Sequence, residues 1–349
     1  MKKHMLSDRV DRKMISLIVI TVVLTIVMGA FNPAKFYTLY NFQSMTRQLA
    51  EMGVYSLALF VIVVSGGLNL SIVAIANLSA ICGGVIMQGL FLGDIFTTPT
   101  VRLIVGILVS LVVGVLCGVL NGYFVAGLGL TAVLITSASM QFFQGLSLLI
   151  TKGSSIMGAP SAIQQLGAGN LGGILPYLLI LVAICYALTH FLFEKTAYGE
   201  QCRLLGANST ANQYSGNSNF KTLMYSYMLS GLFSAVGGLV SYSRMCVLRS
   251  DYGDSLSSTA MLVVLMGGAW VVAGGGKVVN IFISLFCLQI ISSGLTLAGT
   301  SNFTRNTLWG LLLLALLLSG TSQVKNSAKK LFARLRPSKE KELAGKVKS

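Results

Sequence analysis

Uncharged polar side chains inside long apolar stretches are the residues of this sequence that could bind a solute. Ser137, Gln141 and Gln144 stand at i, i+4 and i+7 within the apolar stretch 129–150, so a helix there places them on one face. We call these three residues the polar stripe. Hydroxyls and amides both donate and accept hydrogen bonds, and the Phe143 ring lies beside them in sequence. The pattern favours a path for a polyhydroxylated or another neutral polar solute.

The polar stripe has a second interpretation, because membrane helices also use Ser, Asn and Gln to bond to one another, at about 0.6–2 kcal/mol each. Asn69, Asn77 and Asn121 are further neutral amides in apolar stretches, and both interpretations apply to them. An amide exposed to hydrocarbon would lack hydrogen-bond partners. We therefore predict that the polar stripe faces a solute path or a neighbouring helix rather than lipid.

Residues for catalysis or metal binding are nearly absent from the sequence. Glu51 and Glu194 lie at the ends of apolar stretches, and no aspartate lies within one. The six cysteines form no CxxC pair and there are two histidines, which indicates neither a disulfide framework nor a metal site. An enzyme is therefore not predicted. A proton-coupled carrier is disfavoured as well, because such carriers need an ionisable group within a span.

The longest polar interval between apolar stretches is Thr196–Lys221. Asn208 is a favoured N-cap, and Gly216 stands where a short helix would end. Between them, Ala211 and Tyr214 are three positions apart and share a helical face. We predict a short amphipathic helix there, unstable by itself in water and suited to docking on a soluble partner. The alternative is a solvated loop with one helical turn.

Composition identifies the class of protein. Of 349 residues, 54% are hydrophobic and 10% are charged, and mean hydropathy is +0.78. Soluble domains carry about 25% charged residues. The formal net charge is +15, but five basic residues fall in 1–13 and nine in 325–349. Charge at the ends of an apolar chain is a topology signal rather than a nucleic-acid-binding face, so we predict an all-α, polytopic membrane helical bundle.

About ten apolar runs approach the ~20 residues that a helix needs to cross a bilayer. They are 14–30, 50–66, 70–91, 101–126, 129–150, 174–193, 221–243, 256–273, 278–298 and 306–320. With both termini inside, the inner segments hold 18 of the 25 Lys and Arg residues, so the termini are predicted to be cytoplasmic. The predicted parts are a basic segment 1–13, a transmembrane domain 14–320 with a cytoplasmic loop 194–220, and a basic tail 321–349.

Small residues indicate how the spans pack. They recur every four positions in two spans, at Gly114, Gly118 and Gly122 and at Ser226, Ser230, Ser234 and Gly238. Such residues let helix backbones approach each other closely. Gly66-Gly67 in the first half is echoed by Gly267-Gly268 and by Gly274-Gly275-Gly276 in the second. Glycine breaks in both halves favour a duplicated transporter architecture, with sites near the breaks.

Several motifs occur in an order that resembles one family of transport proteins. They are S-G-G-L-N-L-S at 65–71, T-A-Y-G at 196–199 and G-A-N-S-T-A-N-Q-Y-S-G at 206–216, followed by Tyr227, Ser230, Gly231, Gly267-Gly268 and Gly294-Leu295. The first is similar to the pattern GG-[IL]-D-L-S and the third to GGN-x-x-A-A-x-x-SG. From about residue 38 to residue 320, the chain resembles the permease subunits of bacterial ATP-binding-cassette (ABC) importers of the ribose-type sugar family.

The resemblance implies partners and a division of labour. The chain would pair with a second permease in the lipid of the bacterial plasma membrane. Two cytoplasmic ATPase subunits would bind ATP, an external binding protein would deliver the solute, and this chain would hold no cofactor. The central loop would be the coupling element, which moves the sixth and seventh spans during alternating access. Its residues would be Leu205, Gly206, Asn208, Ala211, Tyr214, Ser215 and Gly216.

Two positions depart from the family pattern. Asn69 stands where the family usually has Asp, and Trp270 follows the paired glycines in place of small and hydroxylated residues. A bulky ring near a solute path would change its shape, so Trp270 joins the path candidates. The solute is expected to be a sugar, with a nucleoside or a furanose signalling molecule as the alternative. An ion-coupled secondary carrier is the alternative of another class.

We expect the loop 201–219 and Ser349 to share the cytoplasmic side with Met1, because Lys and Arg concentrate in the segments assigned to that side. With the other cysteines removed, an impermeant thiol reagent added outside intact cells should leave Cys202 unlabelled. Labelling of Cys202 from outside would contradict this topology.

Overall fold

A computed structural model describes residues 2–31, 33–90, 98–269 and 274–320. Within these ranges the helices are α1 Lys2–Phe31, α2 Pro33–Phe36, α3 Leu39–Val64, α4 Ile72–Met87, α5 Pro99–Gly122, α6 Ala132–Thr151, α7 Ser161–Ala168, α8 Tyr177–Lys195, α9 Ala197–Ala207, α10 Ser209–Tyr214, α11 Asn219–Met245, α12 Asp254–Met266, α13 Val278–Leu297 and α14 Asn302–Gly320. A π-helical turn, Tyr123–Gly127, extends α5. The short strands are β1 Ile156–Met157, β2 Asn170–Leu171, β3 Leu175–Pro176 and β4 Val247–Leu248.

Each predicted span overlaps an apolar helix. Within the described ranges, six helices are long and apolar enough to cross a bilayer, namely α3, α5 with its π turn, α6, α8, α11 and α13. Shorter apolar segments occupy the other predicted positions, at Met14–Ala30, Ile72–Met87, Asp254–Met266 and Phe303–Leu317. The polytopic helical bundle is confirmed, whereas the count of ten crossings and the side of the termini stay predictions.

The helix α3 begins at Leu39, well before the predicted start of its span at residue 50. The Thr38 side chain caps it by accepting a hydrogen bond from the Asn41 N–H at 3.2 Å. The Asn41 amide in turn donates to the Phe36 carbonyl at 2.8 Å. Glu51, at the end of an apolar stretch in the sequence, therefore lies inside a helix and is buried. The hydropathy pattern does not reveal the first turns of α3, because those turns are polar.

The helix α12 ends at Met266, although the predicted span runs to residue 273. Gly268 has a φ of +84°, and Gly66 closes α3 in the same way with a φ of +83°. The matching bonds, donor first, are Gly66 N to Val63 O (3.1 Å), Gly67 N to Ile62 O (3.0 Å), Gly268 N to Leu265 O (2.9 Å) and Ala269 N to Val264 O (3.2 Å). Both ends are Schellman motifs, which only a left-handed residue closes easily. The glycine pairs Gly66-Gly67 and Gly267-Gly268 therefore mark two helix ends of the same type.

The centre of the bundle is α3. Every residue from 49 to 64 is buried, against side chains such as Val182 of α8, Val263 of α12 and Leu285 of α13. A helix that is apolar all round finds enough partners only inside a large bundle. In a bilayer, close van der Waals contact rather than escape from water holds these helices together.

The helices α5 and α11 approach through the predicted small residues. A Cβ added at Gly118 would overlap the carbonyl oxygen of Tyr227, and one at Gly114 would meet the Gly231 carbonyl and the Ala235 methyl group. On another side of α11, Gly238 lies against the backbone of α4. The small-residue patterns are thus confirmed as packing seams, with α11 between α4 and α5.

Loops that the sequence assigns to one side of the membrane meet in the structure. The antiparallel pair β1–β4 joins two predicted outer loops, and the Gln88 amide donates to the Gly158 carbonyl at 2.6 Å nearby. At the opposite end, Gly66, Gly206 and Gly274 pack together from three predicted inner segments. This grouping agrees with the predicted topology and leaves its orientation to experiment.

A position in a solvated loop would leave Cys202 accessible to a thiol reagent, but the structure buries this residue. It lies in α9, fully buried, with its Sγ 3.5 Å from the Ser226 Oγ of α11. Burial also raises the pKa of the Cys202 thiol, so the reactive thiolate is disfavoured. The sequence pattern does not predict α9 and therefore does not predict this shielding. Gln213, exposed on α10, is the better site, and Gln213→Cys is the variant that tests the topology.

We expect Gly118→Ala to weaken the contact between α5 and α11. The added methyl group has no room against the Tyr227 backbone, and overpacking costs about 1–3 kcal/mol. Thermal unfolding in detergent should show a lower Tm. Gly310→Ala is the matched control, because nothing lies within 4 Å of a Cβ at that position of α14 and alanine favours helix. Equal Tm values for the two variants would contradict the packing seam.

Candidate functional site

The central polar loop folds into two consecutive helices, α9 and α10. The short helix α10 forms where it is predicted, and Asn208 caps it by accepting hydrogen bonds from the N–H groups of Thr210 (3.0 Å) and Ala211 (3.1 Å). Gly216, with a φ of +81°, ends this segment. Because α9 runs directly into Asn208, the loop is largely ordered helix rather than a solvated turn.

The surface of α10 presents an aromatic ring on a fixed base. Tyr214 is 89% exposed, and Ala211 beside it is half-buried. Beneath them, the buried Asn212 donates to the Asn219 Oδ1 at 2.8 Å and accepts from the Asn217 Nδ2 at 3.1 Å. A helix this short needs such support from its surroundings. These amide bonds hold α10 against the start of α11 and leave Tyr214 free to contact another molecule.

The predicted coupling residues fall into two groups. One group forms, caps or ends α10 and consists of Asn208, Ala211, Tyr214, Ser215 and Gly216. The other group, Leu205 and Gly206, ends α9 and lines a cavity of about 520 Å³ against the turn after α3. A second cavity of about 450 Å³ shares Gly206 and Gly66 and extends to Val133 at the start of α6. The second group therefore contacts the membrane bundle itself.

Asn69 shapes the irregular segment 65–71 between α3 and α4. Its Oδ1 accepts bonds from the Ser71 backbone N–H (3.0 Å) and hydroxyl (2.7 Å), and its Nδ2 donates to the Ser230 Oγ at 3.1 Å. Asn121 of α5 donates to the Ser71 Oγ at 2.9 Å. Both asparagines are fully buried. These bonds supply partners where helical ones are missing, and a lining role for either residue stays a prediction.

The remaining path candidates lie elsewhere. The Asn77 amide of α4 donates to the carbonyls of Ser250 (3.0 Å) and Tyr252 (2.9 Å), which anchors the loop after β4. Trp270 lies outside the described residues. The structure thus does not bring the asparagines together with the polar stripe in one cluster.

The polar stripe lies partly on the uncovered side of α6. Phe143 is buried against α4, whereas Gln141 is exposed and Ser137 and Gln144 are half-buried. Phe143 and Gln141 are two positions apart in the sequence. On a helix this spacing rotates one side chain by about 200° relative to the other, so they face opposite sides. No helix of the described chain covers Gln141, and what covers it in the membrane determines whether the stripe lines a path.

Sequence reasoning misses a buried ion pair within the bundle. Glu51 of α3, 2% exposed, pairs with Arg244 near the end of α11. The Ser241 hydroxyl donates to Glu51 at 2.7 Å and lies 2.9 Å from the Tyr55 hydroxyl. Removing one partner of a buried pair commonly costs about 3–5 kcal/mol. No sequence pattern links the two charges, because 193 positions separate them.

We expect Asn69→Ala to destabilise the protein more than Asn69→Asp does. Alanine leaves the buried Ser71 N–H without its partner, and each such group costs about 1–3 kcal/mol. Aspartate can accept from both donors of Ser71 and from the Ser230 hydroxyl, and these bonds offset the burial of its charge. Thermal unfolding of the two variants in detergent measures the difference. A higher Tm for Asn69→Ala than for Asn69→Asp would contradict the structural role of Asn69.

Comparison with known proteins gives one family. Residues 41–319 match the model of the branched-chain amino acid transport system / permease component family. Ribose import permease protein RbsC of Bacillus subtilis (strain 168) is 29% identical over 299 residues, which cover 85% of this chain and 89% of that protein. Autoinducer 2 import system permease protein LsrD of Yersinia enterocolitica is 29% identical over 269 residues, or 75% of this chain and 78% of that protein. No solved structure matches.

The family match extends from the first turn of α3 into the end of α14. The similar proteins are bacterial import permeases, and the described helices are apolar enough to cross a membrane, which places this chain in the bacterial plasma membrane. The resemblance drawn from the motifs is therefore confirmed. The chain belongs to the family of ABC importer permease components that includes the ribose and autoinducer 2 import permeases.

Proposed function

We propose that this chain is the permease through which an ATP-driven importer carries a small neutral polar solute, in the first place a sugar, into the cell. The observation that carries the proposal is the similarity, over three quarters or more of the chain, to permeases named for ribose and autoinducer 2 import. An external binding protein delivers the solute. Separate ATPase subunits bind and hydrolyse ATP, and this chain holds no nucleotide.

The chemistry of the spans supports a neutral solute. The buried polar groups discussed above are hydroxyls and amides, and the charges of Glu51 and Arg244 neutralise each other. A free amino acid would bring an ammonium and a carboxylate, both costly to desolvate without charged partners. The amino acid in the family description is therefore the weaker candidate. A furanose signalling molecule is the second candidate, because the autoinducer 2 permeases are similar over 75% of the chain.

A second permease chain covers α6 in the proposed complex. Gln141 is exposed beside Phe142, 56% exposed, and Leu134, 65% exposed. Leaving the Gln141 amide in hydrocarbon would cost several kcal/mol, so this face needs a polar neighbour. Two copies that face each other through α6 would enclose Gln141 and Gln144 in one path. The polar stripe would then line the path, and the buried asparagines would hold its wall in shape.

The exposed face of α10 is the proposed docking site for the ATPase subunit. Tyr214 would enter a groove on that subunit, with Ala211 beside it and the polar ends of α10 forming a rim. Movement of the ATPases on ATP binding and hydrolysis would displace α10 and alternate the path between its outward-open and inward-open states. This is the population shift that differential binding of a ligand produces.

Uptake into proteoliposomes tests the proposal. Vesicles would hold this chain with the candidate second permease and ATPase subunits, with ATP on the ATPase side and binding protein on the other. We expect uptake of radiolabelled ribose that requires ATP, and unlabelled nucleosides and autoinducer 2 as competitors would rank the solutes. Uptake driven by an ion gradient without the ATPase would instead identify an ion-coupled carrier and contradict the proposal.

We expect Tyr214→Asp to abolish ATPase association and uptake. A charge in the centre of a packed contact commonly costs about 2 kcal/mol or more, which is roughly thirtyfold in affinity. Co-purification of the ATPase with the tagged permease measures the loss. Tyr214→Phe keeps the ring and should retain association.

Tyr40→Asp is the matched control for this change. Tyr40 is 82% exposed, at the opposite end of the bundle in the first turn of α3, so ATPase association should be unaffected. Normal association and uptake in Tyr214→Asp would show that α10 is not the coupling contact.

A further inference from the structure

Three separate segments meet, backbone against backbone, where α9 ends. A Cβ added at Gly206 would overlap the Val64 carbonyl oxygen and lie 3.1 Å from the backbone nitrogens of both Gly66 and Gly274. A Cβ added at Gly274 would overlap the Arg203 carbonyl oxygen. We call Gly66, Gly206 and Gly274 the glycine clasp. Each of its members comes from a different part of the chain, and any side chain at Gly206 or Gly274 would push the segments apart.

Arg203 reinforces the glycine clasp with its side chain. Its Nη1 donates to the Gly276 carbonyl at 2.8 Å, and its Nη2 donates to the Glu194 carboxylate at 2.6 Å. The two side chains are 26% and 22% exposed, so water screens this contact less than a surface pair. One guanidinium thereby links the end of α8, the middle of α9 and the loop that precedes α13. Its planar fork allows two such bonds at once.

The segments joined by the clasp lead into the core of the bundle. Gly66 closes α3, the central helix, and Gly274 lies just before the start of α13 at Val278. At this same end, α9 leads directly to Asn208 and the exposed face of α10. Therefore α9 connects the docking surface to the inner ends of α3 and α13 through close contacts between backbones.

We propose that Arg203 and Gly206 are positioning residues that make α9 and the inner ends of α3 and α13 move as one unit. A displacement of α10 then reaches the central helix directly, and not only through α8 and α11, which flank the loop in sequence. The inference rests on the proposed function, because it assumes that an ATPase displaces α10. It adds the route by which that displacement enters the membrane.

The test compares uptake with ATP hydrolysis in the reconstituted complex. Arg203→Gln removes the cation but leaves the surface of α10 intact, so the ATPase should co-purify and hydrolyse ATP as with the wild type. We expect solute transported per ATP to fall at least about fivefold, the lower end of usual coupling strengths. Lysine cannot reach both acceptors at once, so Arg203→Lys should give an amount of solute transported per ATP between those of the wild type and Arg203→Gln. Lys221→Gln, a loss of the same charge at an exposed position of the same region, is the control and should match the wild type.

The outcomes separate this inference from the proposed function. Absence of ATP-dependent uptake in the wild-type complex would contradict the proposed function. Normal uptake with unchanged transport per ATP in Arg203→Gln would overturn the inference about the glycine clasp and leave the proposed function standing.

If Arg203→Gln does not assemble, a cross-link decides the question. Ser65→Cys and Leu205→Cys, in a chain without other cysteines, place thiols on the wall of the same cavity beside the clasp. A short bis-maleimide between them should leave transport per ATP unchanged if the segments move together. Loss of transport on cross-linking would show that they slide and would overturn the inference.

Discussion

The structure depends on one constraint, which is that every backbone polar group shielded from water must find its partner inside the protein. Continuous helices meet it by themselves, but the chain breaks its helices at 65–71 and again after α12. At the first break, Asn69 bonds to Ser71 and the Tyr227 hydroxyl donates to the Leu68 carbonyl at 3.0 Å. The break therefore survives only because α5 and α11 surround it with polar side chains. The tight glycine contacts of those helices follow from the same need for close approach.

This constraint changes how the neutral polar residues are interpreted. The amide nitrogens of Asn69, Asn77 and Asn121 all donate to neighbouring helices or loops, although the buried Asn121 Oδ1 has no hydrogen-bond partner among the described residues. Gln141, by contrast, is exposed on the single chain. A polar solute needs donors and acceptors that the fold has not already used. The uncovered face of α6 is therefore one part of the bundle with polar groups still available to a solute, and the Asn121 Oδ1, unpartnered within the described chain, is another.

Local rules on the sequence predict a large share of this architecture. Apolar length places the helices, Asn208 and Gly216 bracket α10, and glycine spacing identifies the contact of α5 with α11. What escapes prediction is long-range. At the start of α3, the Asn41 Oδ1 accepts from the Ser293 hydroxyl of α13 at 2.9 Å, and the position of Gly206 depends on a backbone that comes from elsewhere in the chain. A glycine carries no side-chain signal of what it touches, and a polar residue does not reveal whether its partner is a helix or a solute.

The pairing of Glu51 with Arg244 has a consequence for how the protein is made. Helix α3 leaves the ribosome long before α11, because 193 positions separate the two charges. At about 5–20 residues per second, synthesis of the intervening chain takes roughly 10–40 s. Throughout that interval the nascent α3 carries an unpaired carboxylate that the hydrocarbon disfavours. The final arrangement of the core must therefore wait for the seventh predicted span, and a nascent chain that stops before it cannot complete its own centre.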